Sequence, residues 1–271
     1  MTRYVISGGR EGYERLRLLA RVRWPETAQL FADMGVAPGQ TCLDLGCGGG
    51  AVTMELAKLV GSSGRAVGID MDEVKLELAR ADAAEAGLAN VEFRRADVDE
   101  WSDPEAYDVV YARFLLEHVP RPLDLLGRMW AAVRPGGSLA VEDADFEGLV
   151  SDPPHDAFEL WKRLNPEVLE LNGGDPLMGR KLHRLFREAG IPDPEVRLTQ
   201  NVSTTGEAKT LPAVTLAAMS DSILSAGLAS QDELSGAIEG LTAYAADPTT
   251  LVAGPRVFQV WSRKPPERLT A

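Results

Sequence analysis

The sequence predicts an α/β fold: a doubly wound, mostly parallel sheet of seven strands, with a helical segment ahead of it and a helical lid inserted within it. Three observations predict it. The stretch Thr41-Cys42-Leu43-Asp44-Leu45-Gly46-Cys47-Gly48-Gly49-Gly50-Ala51, followed by the helix-prone run Val52 to Val60, reads as a strand, a tight turn and a helix. Short apolar or alternating runs then recur at 66–70, 91–98, 107–112, 138–142, 195–202 and 256–262, with helical patterns between several of them. Finally, residues 207–248, between the last two runs, read as a pair of helices.

Ahead of the first strand, residues 1–36 form an expected helical cap. Residues 10–34 read as one or two helices broken near Pro25, because Tyr13, Leu16 and Ala20 fall at i, i+3 and i+7. Arg10, Glu14, Arg17 and Arg21 make the opposite stripe, read as a solvated face laced by an i,i+4 pair. In the turn after the first strand, Gly46 and Gly48 lack a Cβ, so the backbone can bend at positive φ and a ligand can lie against it. No Gly-Lys-Ser/Thr follows to hold a nucleotide's phosphates. Asp44, two residues before the first glycine, would repel a pyrophosphate and suit an ammonium group. The second run ends on Asp70, where ribose hydroxyls are gripped in doubly wound folds.

Asp72 reads as the N-cap of the next helix, and Gly87 as its left-handed end. Asp97, Asp99 and Glu100 have the oxygens a hard cation takes, but a solvated loop explains the last two and no metal site is expected. Trp101 reads either as a stacking surface near a ligand or as a buried structural ring. Pro122 stands at a first helical position, and the run Glu142 to Glu147 reads as a polar rim for a substrate. Two helical segments between 153 and 190 are separated by Asn172-Gly173-Gly174-Asp175-Pro176, and His183 falls off their apolar stripe. Leu211 to Met219 is apolar on several sides, as a lid over an apolar pocket or ordinary helix packing requires.

These motifs, in this order, resemble class I S-adenosylmethionine-dependent methyltransferases, in particular small-molecule enzymes of the ubiquinone/menaquinone-biosynthesis type. The resemblance runs over residues 37–145 and rests on the glycine turn, on Val67-Gly68-Ile69-Asp70, on Asp97 after Val91 to Ala96, on Tyr107 to Ala112, and on Arg134-Pro135-Gly136-Gly137 leading into Leu139 to Glu142. It implies a Rossmann-like methyltransferase domain over 37–271, with helical insertions at about 153–190 and 207–248. It further implies S-adenosyl-L-methionine as cofactor, held by Tyr4, Asp44, Gly46, Cys47, Gly48, Asp70, Met71, Ala96, Asp97, Val98, Ala112 and Arg113. Asp97 takes the adenine amino group in that scheme. Tyr4 and one arginine would fold over the ligand on a Gly8-Gly9 hinge, the arginine pairing with the methionyl carboxylate.

Residues 112–120 should face the transferring methyl. They lack the Asp/Asn-Pro-Pro-Tyr/Phe turn common in enzymes that methylate bases or glutamine, which disfavours those acceptors; an apolar helical lid over the crevice points instead to a small, largely apolar acceptor, and O-methylation is expected ahead of C- or N-methylation. His118, and after it His155, are the candidates for accepting the acceptor's proton. Two other readings stay open: a non-methylating enzyme on this fold, such as a cyclase, and a nicotinamide dehydrogenase, which would want Gly-x-Gly-x-x-Gly.

Composition agrees with an ordinary globular protein, one full core with an appended lid. A net charge of -13 over 271 residues disfavours a protein that tracks nucleic-acid phosphates. Cys42 and Cys47 are the two cysteines, one in the first strand and one in the turn, which suggests no disulfide framework and suits the cytoplasm. The first residues lack a signal-like apolar core and no run of eighteen apolar residues occurs, so neither export nor membrane insertion is expected. Oligomeric state is left open, a homodimer included.

Overall fold

The computed structural model describes residues 9–267. Its first elements are α1 (Gly9–Asp33), β1 (Thr41–Leu45), α2 (Ala51–Val60), β2 (Arg65–Asp70), α3 (Glu73–Glu85), β3 (Val91–Arg95) and β4 (Tyr107–Arg113). Then come α4 (Pro122–Ala132), β5 (Val133–Asp145), β6 (Val150–Asp152), α5 (Asp156–Leu171), α6 (Met178–Glu188), β7 (Glu195–Thr199) and β8 (Val202–Ser203). The remainder is α7 (Leu211–Ser225), α8 (Gln231–Ala246), β9 (Leu251–Ala253) and β10 (Arg256–Arg263).

Seven strands form the main sheet in the order β3-β2-β1-β4-β5-β10-β7. β10 runs antiparallel to both neighbours and the other pairings are parallel. The order reverses between β1 and β4, so the ligand crevice of such a sheet lies there, beyond the carboxyl ends. Both faces of the central strands are apolar, as strands covered on two sides must be. Cys42, Val109 and Tyr111 enter a core with α1 and α2, whereas their neighbours Leu43, Val110 and Ala112 enter the opposite core with α4 and α6.

Five local readings change. α1 is a single helix that continues through Pro25. β5 begins at Val133, and the glycine turn expected ahead of it is an irregularity inside the strand, where the register jumps from Tyr107 opposite Val133 to Val109 opposite Ser138. The alternating run 195–202 is interrupted at Gln200 and Asn201, so that β8 leaves the main sheet and pairs with β9. Glu142, Asp143 and Asp145 are not a substrate rim but buried side chains. They are held by polar partners: Glu142 accepts from Thr27 Oγ1 at 2.7 Å and from Gln259 Nε2 at 2.9 Å, and Asp145 accepts both arms of Arg180 at 2.7 and 2.8 Å. Finally, the helices read as two insertions divide differently. α6 covers the sheet itself through Leu182 and Phe186, while α5 joins α7, α8 and the sheet β6-β9-β8 in a core of their own.

That second core stands over the crevice. Phe158, Trp161 and Leu164 from α5 pack with Leu216, Met219 and Ile223 from α7 and with Leu234 and Leu241 from α8. α1 ties it to the sheet: Arg15 Nε donates to Thr215 Oγ1 at 3.1 Å, Arg21 pairs with Glu207 at 2.9 Å, and the Tyr13 hydroxyl donates to Asp82 on α3.

Candidate active site

The turn after β1 is built by glycines at positive φ, 74° at Gly46 and 53° at Gly48. A Cβ on Gly46 would come within 2.9 Å of Leu115, and one on Gly48 within 2.9 Å of Leu16 on α1, so the backbone itself forms the wall. Backbone donors fasten the turn to the end of β2: the N–H groups of Gly46 and Cys47 reach Ile69 O at 2.8 and 3.0 Å. The Asp70 carboxylate accepts Gly48 N–H on one oxygen at 2.8 Å and Asp72 N–H on the other at 2.9 Å. Each oxygen keeps a further lone pair for a hydroxyl.

This turn borders a cavity of about 880 Å³ closed over by α1, α5 and α7. Asp44, Asp70 and Asp97, from the ends of three adjacent strands, all line it. Asp44 is buried and accepts Thr53 Oγ1 at 2.7 Å. Burial pushes its carboxyl up to about 6, against the pull of Thr53 and of the nearby Arg113 guanidinium. Arg113 donates to Thr27 Oγ1 at 3.2 Å and faces the same cavity. An acid and a guanidinium side by side at the turn match the two charges of an α-amino acid. Met71, more than half exposed, and Val98 give apolar surface near Asp70 and Asp97, which suits a flat base.

Of the other expected residues, Gly46, Cys47, Gly48 and His118 also line the cavity. Ala96 and Ala112 do not. Ala96 takes part through the backbone, donating to Asp70 O at 3.1 Å, and Ala112 is fully buried in the sheet's core. His155 stands outside the cavity as the N-cap of α5, its Nδ1 accepting Ala157 N–H at 3.2 Å and its ring meeting Tyr244 edge-on at 5.1 Å. That structural bond removes it from the catalytic candidates. Trp101 is a core residue whose indole donates to Asp103 at 3.2 Å, and His183 is exposed. Asp72 does cap α3. Tyr4 and Gly8 lie outside the described residues. Among the described residues no cluster of three or more His, Cys, Asp or Glu side chains is arranged for a metal ion.

Several wall residues escaped the sequence reading. Arg15 and Leu19 belong to neither stripe picked out in α1, and Lys75 is a buried lysine in the first turn of α3; Glu117 lies within the segment 112–120 expected to face the methyl, but nothing there marks it as a buried acid. Trp161 and Asn165, one turn apart on α5, face the cavity because of how that helix docks, and no local pattern shows it.

The pocket therefore fits S-adenosyl-L-methionine on its own terms. Asp44 is a buried acid whose ionisation an ammonium would relieve, and the glycine wall is one that any side chain would fill. A family model described as a methyltransferase domain matches residues 37–190. Ubiquinone biosynthesis O-methyltransferase of Hahella chejuensis is 38% identical over 117 residues, 42% of this chain and 48% of that protein. An uncharacterised 37.1 kDa protein of transposon Tn4556 from Streptomyces fradiae is 32% identical over 160 residues, 59% of this chain and 45% of that protein. The chain thus spans about half the length of these relatives. Among solved structures, a Haemonchus contortus phosphoethanolamine N-methyltransferase, in complex with S-adenosylhomocysteine, superposes with a TM-score of 0.58 at 18% identity, over 92% of this chain and 56% of that one. The [4+2]-cyclase SpnF superposes with a TM-score of 0.53 at 18% identity, over 89% and 82%. Such distant neighbours establish the fold, and the family match over more than half of the sequence establishes the lineage: this chain belongs to the class I S-adenosylmethionine-dependent methyltransferases.

Proposed function

We propose that the protein transfers the sulfonium methyl of S-adenosyl-L-methionine to an oxygen of a small, largely apolar molecule. One observation carries the acceptor half. Beyond Asp44 and Arg113 the cavity continues between Leu19, Phe146, Trp161, Leu211 and Val252, a mainly apolar chamber under the helical unit. The name of the Hahella relative supports oxygen as the target.

In this reading Asp44 receives the amino group, Arg113 the carboxylate, Asp70 the ribose and Asp97 the adenine amino group. Bound in this way the cofactor supplies an electrophilic methyl. The chain's own part is to hold the acceptor in line with it and to exclude water, so that placement carries much of the rate. His118 lines the cavity after β4 as a neutral imidazole, because burial, then Arg15 and Lys75, lower its pKa to about 4. It is the group that takes the acceptor's proton.

The SpnF likeness keeps one second reading in view, a cyclase that retains the cofactor as a structural aid. Incubation with methyl-labelled S-adenosyl-L-methionine and pools of hydroxylated aromatic and aliphatic compounds separates the two. Label in an organic product, with one equivalent of S-adenosylhomocysteine, is expected. Tight cofactor binding with no transfer to any pool favours the cyclase.

A further inference from the structure

Beside His118 the fold buries two neighbouring acids. Glu117 stands in a single 3-10 turn, Leu116–His118, and Asp143 near the end of β5, and they are 5% and 0% exposed. They clasp each other's backbones. Asp143 Oδ2 accepts Leu116 N–H at 3.2 Å and the carboxylate also takes Glu117 N–H, while the Glu117 carboxylate takes Ala144 N–H. This leaves Glu117 Oε2 and Asp143 Oδ1 buried with no hydrogen-bond partner among the described protein groups. Unpaired buried oxygens are costly, and two adjacent acids in a low-dielectric setting do not both ionise. Keeping one proton on the pair removes the second charge.

The surroundings set where that proton is released. Burial first raises Glu117 to about 7, with Asp175, ahead of α6, adding to the rise and Arg15 on α1 opposing it. Burial raises Asp143 well above the usual carboxylate range, and Glu117 and Glu142 add to it. His118 holds a proton poorly, being lowered by burial, by Arg15 and by Lys75 on α3. Yet its Nε2 lies 3.4 Å from Glu117 Oε1 while its ring lines the cavity. The imidazole and Glu117 thus both border the chamber, and the ring stands within reach of this stronger base.

We propose that Glu117 and Asp143 form a proton-sharing carboxyl pair that receives, through His118, the proton released by the methyl acceptor; this rests on the methyl-transfer reading above. As the acceptor's X–H bond breaks, its proton passes to His118, which hands one on to Glu117. The new X–C bond forms as the C–S bond breaks, its electron pair staying on sulfur. The pair goes from one proton to two and returns one to solvent after product leaves. His118 is the conduit, and Glu117 and Asp143 set where the proton rests.

Infrared difference titration of the full chain loaded with S-adenosylhomocysteine, from about pH 5 to about pH 9, tests this through the carboxyl C=O stretch. One buried carboxyl is expected to lose its proton near neutrality. Glu117→Gln and Asp143→Asn should each abolish that step or move its midpoint by about one pH unit or more, and His118→Gln should leave the step in place. A wild-type protein that binds S-adenosylhomocysteine by calorimetry but shows no carboxyl titrating near neutrality overturns the pair. So does a step that survives unchanged in both acid variants. The wild-type titration alone decides the matter should a variant fail to fold. Absence of S-adenosylhomocysteine binding in the wild type is a different failure, and overturns the methyl-transfer reading itself.

Discussion

Asp70, at the tip of β2, holds the backbone N–H of Gly48 at 2.8 Å across the mouth of the crevice. One carboxylate thus serves as the proposed ribose acceptor and as the pin that fixes the glycine turn. Asp70→Ala is expected to weaken S-adenosylhomocysteine binding by about 3 kcal/mol, roughly a hundredfold, because hydrogen bonds to a charged acceptor contribute about 1.5 to 3 kcal/mol each. Calorimetry checks it, and an unchanged affinity removes Asp70 from the site.

Binding should also depend on pH through Asp44. Its folded pKa, about 6, lies above the ordinary 3.8, so the folded chain keeps a proton there that the unfolded chain has released. The stability this acid contributes is full below the ordinary value and is lost as pH rises through about 6, by about 3 kcal/mol in all. A ligand ammonium pairs with the ionised form alone. Calorimetry should therefore find S-adenosylhomocysteine about tenfold weaker at about pH 5 than at about pH 7.5, and Asp44→Asn should flatten that dependence. A pH-independent affinity in the wild type excludes an ammonium at Asp44.

Lys209 is a buried cation whose ammonium donates to Asp247 O at 2.6 Å, Thr250 Oγ1 at 2.7 Å, Thr250 O at 3.1 Å and Thr204 O at 3.2 Å. It gathers the loops at both ends of the helical pair α7 and α8. Lys209→Met leaves those acceptors without their donor and should lower stability by about 2 to 4 kcal/mol, read as the midpoint of chemical unfolding. Loss of less than about 0.5 kcal/mol would show that water replaces the ammonium there without penalty.

Two glycines with the same backbone twist should behave differently. Gly87, at φ 67°, has open space where a Cβ would stand, whereas at Gly50, φ 71°, a Cβ would meet the Phe93 ring at 2.5 Å and Ala79 at 2.9 Å. Gly87→Ala is expected to cost about 1 kcal/mol from the left-handed backbone alone, and Gly50→Ala about 2 kcal/mol or more beyond that. Equal thermal midpoints for the two variants would contradict the packing described around α2.

These expectations follow how far a linear text can carry a three-dimensional site. The strand tips were legible, because Asp44, Asp70 and Asp97 each come near the end of a short apolar or alternating run and the glycines after Asp44 mark a turn. The chamber was not. Arg15, Lys75 and Trp161 reach it from three separate elements, and the way α1 and α7 dock is set by side chains more than a hundred residues apart, such as Arg15 and Thr215. His155 looked like a base because it follows the fifth strand, but the local pull of a helix N-terminus claims its ring. Likewise, the acids from Glu142 to Asp145 read as a wet rim only while Thr27, Gln259 and Arg180 are not known to stand beside them.

The amino-terminal helix touches both shores of the crevice, through Tyr13 to α3 and through Arg15 and Arg21 to the helical unit. Removing the contacts on one bank alone leaves the span moored to the other, so the roof over the chamber rests on both at once. A change that loosens either mooring would therefore wet the one chamber that the cofactor and the acceptor are proposed to share.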